Sequence, residues 1–167
     1  MKGKEQEFLA RIQTHKGILY KIAKMYMDNR DDQDDLFQEM ICQLWKSYDS
    51  FRGDSQFSTW MYRVAVNTAI ASFKKEKKKP DKFEITTNNI GEHDEDSGLQ
   101  ELQIDHFYKA LHKLDKIEKA LVFYHLEGYS HIEIGSNLGI SEGNARVKLS
   151  RAKTKLKEII QKQGYEF

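Results

Sequence analysis

The chain has 167 residues, enough for one domain or two small ones, and its 27 Lys and Arg against 26 Asp and Glu leave a formal charge of +1. A balance so close to neutral excludes naming a partner from net charge alone, although 32% of residues are charged. The single cysteine, Cys42, excludes an intramolecular disulfide and suits a reducing cytoplasm. No run approaches the roughly 20 apolar residues of a membrane span, and the first eight residues lack the apolar core of a signal peptide.

Residues 5 to 28 read as an amphipathic helix, with Phe8, Ile12, Leu19, Ile22 and Tyr26 stepping by threes, fours and one double step. The polar run 28 to 32 breaks it. Asp35 then reads as an N-cap, with Gln38 three residues on as a variant of the capping box. The helix it opens carries Leu36, Phe37, Met40, Ile41, Leu44, Trp45 and Tyr48 on its apolar side. The acids Asp31, Asp32, Asp34 and Asp35 lack the glycine and distal glutamate of a calcium loop, and a helix dipole favours them without a metal.

Residues 47 to 57 form a loop with polar side chains between Phe51 and Phe57. Ser55 or Ser58 can cap the helix that follows, and neither proline nor glycine interrupts it as far as Lys79. That helix carries Phe57, Trp60, Tyr62 and Phe73. The helical period places Arg63, Asn67 and Lys74 on one face, which Thr59 joins. Aromatics beside a stripe of donors can stack on unpaired bases while holding their phosphates. Read alone, the stripe is more simply the solvated face of a core helix.

Pro80 closes this region, and 81 to 104 read as a polar linker of weak periodicity. As a flexible coil it spans roughly 27 Å r.m.s. and about 80 Å fully stretched. Charge divides along the chain: residues 51–79 carry seven basic and two acidic side chains, 80–105 one and eight, and 141 onward seven and three. Two basic segments around an acidic one suggest two nucleic-acid contacts. His93, Asp94 and Glu95 make no convincing metal site.

From Asp105 the pattern is helical again, through Phe107, Ala110, Leu111, Leu114, Ile117, Ala120, Leu121, Phe123 and Tyr124 to a stop at Gly128. Ser130 caps a short helix, Gly139 supplies a turn and Ser141 caps a longer basic helix, which together make a helix-turn-helix. On the second helix Ala145, Leu149, Ala152, Leu156 and Ile159 form the buried stripe. Opposite lie Asn144, Arg146, Val147, Lys148, Arg151 and Lys155. The fold class is all-α, in two small helical domains (1–80 and 105–167) joined by a flexible acidic linker (81–104). No nucleophile–base pair, phosphate loop or metal-ligand spacing is present, so no catalytic residue, metal or cofactor is implied.

Asp34, Asp35, Leu36, Gln38, Glu39, Trp45, Phe51, Arg52, Gly53, Ser55, Phe57, Thr59, Trp60, Tyr62, Arg63, Ala65 and Asn67 together resemble domain two of the ECF (extracytoplasmic function) branch of the sigma-70 family. Glu133-Ile134, Leu138-Gly139-Ile140-Ser141, Gly143 and Ser150-Arg151-Ala152 resemble domain four. The resemblance implies a sigma factor that brings core RNA polymerase to promoter DNA and is held inactive by an anti-sigma factor. It implies core-polymerase contacts at Asp35, Gln38, Glu39, Leu44 and Trp45, with a place in the core as the alternative for Leu44 and Trp45. By the same resemblance, Arg52, Ser55, Phe57, Thr59, Trp60, Arg63, Asn67 and Lys74 serve the minus-ten element, with a flipped base entering the loop before the helix. Ser141, Asn144, Arg146, Val147, Lys148, Arg151 and Lys155 serve the minus-thirty-five element. Gly135 departs from the family's usual alanine, at an expected cost of about 1 kcal/mol of helix stability. Val147 stands where a small polar residue is commoner, either to touch a thymine methyl or as an idle surface valine. The alternative function is a stand-alone helix-turn-helix regulator, which has no use for the constellation between residues 34 and 67.

Overall fold

A computed structural model describes residues 2–76 and 98–164, with side chains described over 3–72 and 101–164. It divides into two compact units, Met1–Lys82 and Phe83–Phe167. Among the described residues every element of regular structure is helical, and no helix is long and apolar enough to cross a membrane.

Unit 1 is built from α1 (Lys2–Tyr26), α2 (Arg30–Ser47) and α3 (Phe57–Glu76), each packed against the other two. Phe8, Ile12, Leu19, Ile22 and Tyr26 of α1 are buried, as the spacing demands. They meet Leu36, Met40 and Leu44 of α2 and Met61, Ala65, Val66 and Ala69 of α3 in the core. The α2 cap differs from the expected one. Asn29, in extended conformation, accepts from the Asp32 amide at 2.8 Å, so Asp35 lies inside the helix. Asp31 and Asp32 then occupy the first turn, where the dipole stabilises them. A 3-10 turn, Tyr48–Ser50, and a loop through Gly53 (φ 78°) lead to α3, whose first turn includes Ser58.

Unit 2 holds α4 (Gly98–His112), α5 (Lys116–Leu126), α6 (His131–Leu138) and α7 (Glu142–Lys162), and α7 packs on the other three. The start of α4 places residues 98–104, read from sequence as linker, in a helix. No proline or glycine interrupts the chain from Leu99 to Leu114, and Glu101 stands in the first turn, where it suits the dipole. The single helix expected after Asp105 is two. Asp115 accepts from the Ile117 and Glu118 amides at 2.9 and 2.8 Å, and Glu118 accepts from the Asp115 amide at 3.0 Å. That reciprocal box starts a new helix in mid-pattern.

The α6–α7 turn follows the expected punctuation. Ser130 and Ser141 accept from the Glu133 and Asn144 amides at 3.2 and 3.1 Å, and Gly139 takes φ 73°. Gly135 has a second role. A Cβ there would stand 2.7 Å from the Ile140 carbonyl oxygen, so its absence lets the turn close onto α6.

Candidate nucleic-acid interface

In unit 1 the donor stripe of α3 faces outward. Arg63 and Asn67 are exposed and make no hydrogen bond or ion pair among the described residues, and Thr59 is half-buried. At about 100° per residue, Trp60 falls on the same arc as Thr59, Arg63 and Asn67. Trp60 and Phe57 are only half-buried, with ring centroids 5.5 Å apart, and each packs on Phe51 at 5.4 and 5.6 Å. Behind them lies Tyr48, buried, 6.2 Å from Trp60. Arg52 and Ser55 are exposed on the loop. The side chain of Lys74 lies outside the described residues.

The α2 residues divide. Asp35 and Gln38 are exposed, and Glu39 is half-buried and accepts from Gln43 at 3.2 Å. Leu44 is fully buried, which corrects its assignment as a contact residue. Nine residues after Asp35, it sits about half a turn around the helix, on the core side. Trp45 is 42% exposed: one side lies 5.0 Å from Phe8, and Lys4 sits over the ring at 5.4 Å. Between α2 and α3 runs a groove of about 430 Å³, with Glu39 and Gln43 on one wall and Asn67 and Thr68 on the other. A residue expected to touch polymerase and one expected to touch DNA therefore open onto the same groove.

Sequence reading did not single out Arg11. On α1 it pairs with Glu7 at 3.0 Å and lies over the rings of Phe51 and Phe57 at 5.3 and 5.4 Å. Tyr48 donates to Glu7 at 2.9 Å, and burial, followed by that hydrogen bond, raises the Tyr48 phenol above its ordinary value and keeps it a donor. The available signal was the i, i+4 pair Glu7–Arg11 on a helix that also carries Phe8.

In unit 2, Ala145, Leu149, Ala152 and Leu156 are buried and Ile159 is half-buried, while Asn144, Arg146, Val147, Lys148 and Arg151 are exposed. Ser141 is committed as the cap of α7, and Arg146 reaches back to Glu142 at 3.1 Å, an exposed pair of small worth. Lys148 and Arg151 make no ion pair among the described residues. Lys155 does, at 3.0 Å from Glu118, the same carboxylate that closes the α5 cap. Burial would raise Asp115, but amide hydrogen bonds, joined by the charge of Lys155, outweigh it and hold the carboxyl below its usual value. Among the described residues no three His, Cys, Asp or Glu side chains gather as a metal site.

The family model for Sigma-70 region 2 matches residues 11–79, and that for Sigma-70, region 4 matches residues 105–156. Similar curated proteins include the ECF RNA polymerase sigma-E factor of Haemophilus influenzae, 27% identical over 80% of this chain and 77% of that protein. ECF RNA polymerase sigma factor SigW of Bacillus subtilis is 27% identical over 94% of this chain and 90% of its own. Among solved structures, the sigma factor RpoE of Bartonella quintana, in complex with the anti-sigma factor NepR, superposes with a TM-score of 0.68 at 20% identity, covering 93% of this chain and 98% of that one. CnrH, in complex with the cytosolic domain of CnrY, gives 0.65 at 20% identity over 94% and 89%.

Proposed function

The chain belongs to the ECF branch of the sigma-70 family and is an RNA polymerase sigma factor, and from that premise we propose how its two units divide the work. Unit 1 binds core polymerase through the outer face of α2, with Asp35, Gln38 and Glu39 as contacts and Trp45 at the edge. The adjoining face of α3, with Arg63, Asn67 and Trp60, holds the opened minus-ten strand, and the loop bearing Arg52 and Ser55 before Phe57 receives a flipped base. Stacking and phosphate contacts there must offset the few kcal/mol of unpairing. Unit 2 sets α7 in the major groove of the minus-thirty-five element, with Asn144, Lys148 and Arg151 toward the DNA.

The observation that carries this reading is the outward donor face of α3, where Arg63 and Asn67 stand beside the half-exposed Trp60. A helix-turn-helix regulator working alone has no need of it. The solved RpoE is in complex with the anti-sigma factor NepR and the solved CnrH with the cytosolic domain of CnrY, and by that likeness an anti-sigma factor is a partner of this chain. The protein acts as an initiation factor in the cytoplasm, by binding, and we assign it no catalytic step. The test is run-off transcription on genomic fragments with core polymerase, with and without the chain, after a pull-down of core. Core-dependent initiation at discrete start sites is expected. Tight sequence-specific binding by the chain alone, with no capture of core, would overturn the division of labour.

A further inference from the structure

We propose that α1 completes the base-reading site, and that Arg11, held by Glu7 and Tyr48, is a specificity-determining residue contacting an unpaired base of the opened minus-ten strand. The inference rests on the reading of unit 1 as the minus-ten domain and deepens it.

One face of α1 brings Lys4, Glu7 and Arg11 against the turn at Tyr48 and Asp49 and the loop through Phe51. Between them lies a cavity of about 390 Å³, within the range of sites for small ligands. Glu7 is its fixed point. Its Oε1 accepts from the Tyr48 hydroxyl at 2.9 Å and lies 3.0 Å from Arg11 Nη2. So tethered, the guanidinium sits 5.3 Å over Phe51 and 5.4 Å over Phe57. A base approaching those two rings from this side meets Arg11 first. Lys4 pairs with Asp49 across the same cavity, and Arg52, exposed at its wall, makes no ion pair among the described residues.

The charges distinguish a base from a phosphate. Lys4, Arg11 and Arg52 share the walls with Glu7 and Asp49, so acceptors stand beside donors. A phosphate accepts hydrogen bonds only, so the carboxylates of Glu7 and Asp49 offer it no partner. A base edge presents donors and acceptors together, and a guanidinium plane is a surface on which an extruded base stacks.

The test uses the full chain with core polymerase, in run-off transcription on promoters changed at each minus-ten base pair in turn, as duplex and as pre-melted bubble. Arg11→Gln is expected to change preference at one minus-ten position by about 5- to 100-fold, the scale of one base contact, on both template forms. Minus-thirty-five preference should stay as in wild type. Glu7→Ala removes the acceptor shared by Tyr48 and Arg11, leaves Arg11 present but untethered, and should blur preference at that same position; it decides the matter if Arg11→Gln melts early. A uniform loss at every base, or unchanged preference in both variants, overturns the proposal. Asn67→Ala, run alongside, separates the two readings. If it slows opening on duplex while Arg11 and Glu7 variants keep wild-type preference, the minus-ten reading stands and the role of α1 falls. If none of the three touches minus-ten behaviour, the reading of unit 1 falls as well.

Discussion

Lys155 of α7 lies 3.0 Å from Glu118 of α5, so a cation on the second helix of the helix-turn-helix is held from behind by the carboxylate that closes the α5 capping box. Glu118 is mostly buried, with 19% side-chain exposure, and Lys155 keeps 49%. The pair ties α7 to the helix that precedes the motif. Sequence reading had grouped Lys155 with Lys148 and Arg151, which make no such pair. Replacing Arg151 by Ala should cost about 1–3 kcal/mol of minus-thirty-five binding if it reads a base edge. Lys155→Ala should cost no more than about 1 kcal/mol, since its charge is already engaged. Titrating fluorescent minus-thirty-five DNA with the reconstituted holoenzyme at two salt concentrations checks the order, and a larger loss for Lys155 would return it to the DNA face.

Leu44 and its neighbours on α2 offer a second contrast. Leu44→Ala should lower stability by about 2–5 kcal/mol, the range for a fully buried leucine. Gln38→Ala and Asp35→Ala should leave the melting temperature within error and weaken capture of core polymerase. Thermal melts paired with a pull-down read both effects, and a stable Leu44→Ala protein that fails to bind core would restore Leu44 as a contact.

At Gly135, the family's usual alanine gains up to about 1 kcal/mol of helix propensity. Here the added Cβ meets a backbone carbonyl at 2.7 Å, which cannot swing aside as a side chain could. Gly135→Ala is therefore expected to lower the melting temperature, reversing the sign expected from propensity. A rise would show that the α6–α7 turn relaxes at little cost.

Asp115 carries a pH dependence of definite sign. Its folded value lies below the ordinary carboxylate value of about 3.9, so its contribution is fully present above that pH and is lost as pH falls through the lower folded value. Asp115→Asn keeps a cap acceptor and removes the titration. Wild type should lose melting temperature faster than the variant below about pH 4. Parallel slopes in a melt series across that range would remove Asp115 as a source of acid sensitivity.

Asn67→Ala should slow initiation on duplex templates and recover in part on a pre-melted bubble, which removes the unpairing cost beforehand. Equal rates for mutant and wild type on duplex would reduce the α3 face to a solvated surface.

Helix content and the helix-turn-helix were legible because their signals are local. A serine at each N-cap, a glycine in the αL turn and apolar residues three and four apart bury one stripe by periodicity alone. The α4–α5 break is just as local, since Asp115 and Glu118 form a capping box inside a continuous apolar pattern. The start of α4 is not legible in the same way, because the polar residues of 98–104 are compatible with helix or linker.

What tertiary structure decided were the contacts between residues far apart in sequence. Periodicity places Lys155 on an exposed face of α7, but only the packing of α5 on α7 sets Glu118 within hydrogen-bond reach, 37 positions earlier. It likewise marks Arg11 as an ordinary surface cation, and only the fold of α1 against the loop brings two aromatic rings beneath it. The apolar face of α2 was visible in sequence, yet Trp45 and Leu44, adjacent in the chain, differ because one faces the core and the other its rim. Local sequence dictates which residues become helix and which stripe is buried, since backbone hydrogen bonds and side-chain spacing act over a few residues. Which charges stay free for a partner depends on what the other helices bring to them, and that is settled only when the helices pack.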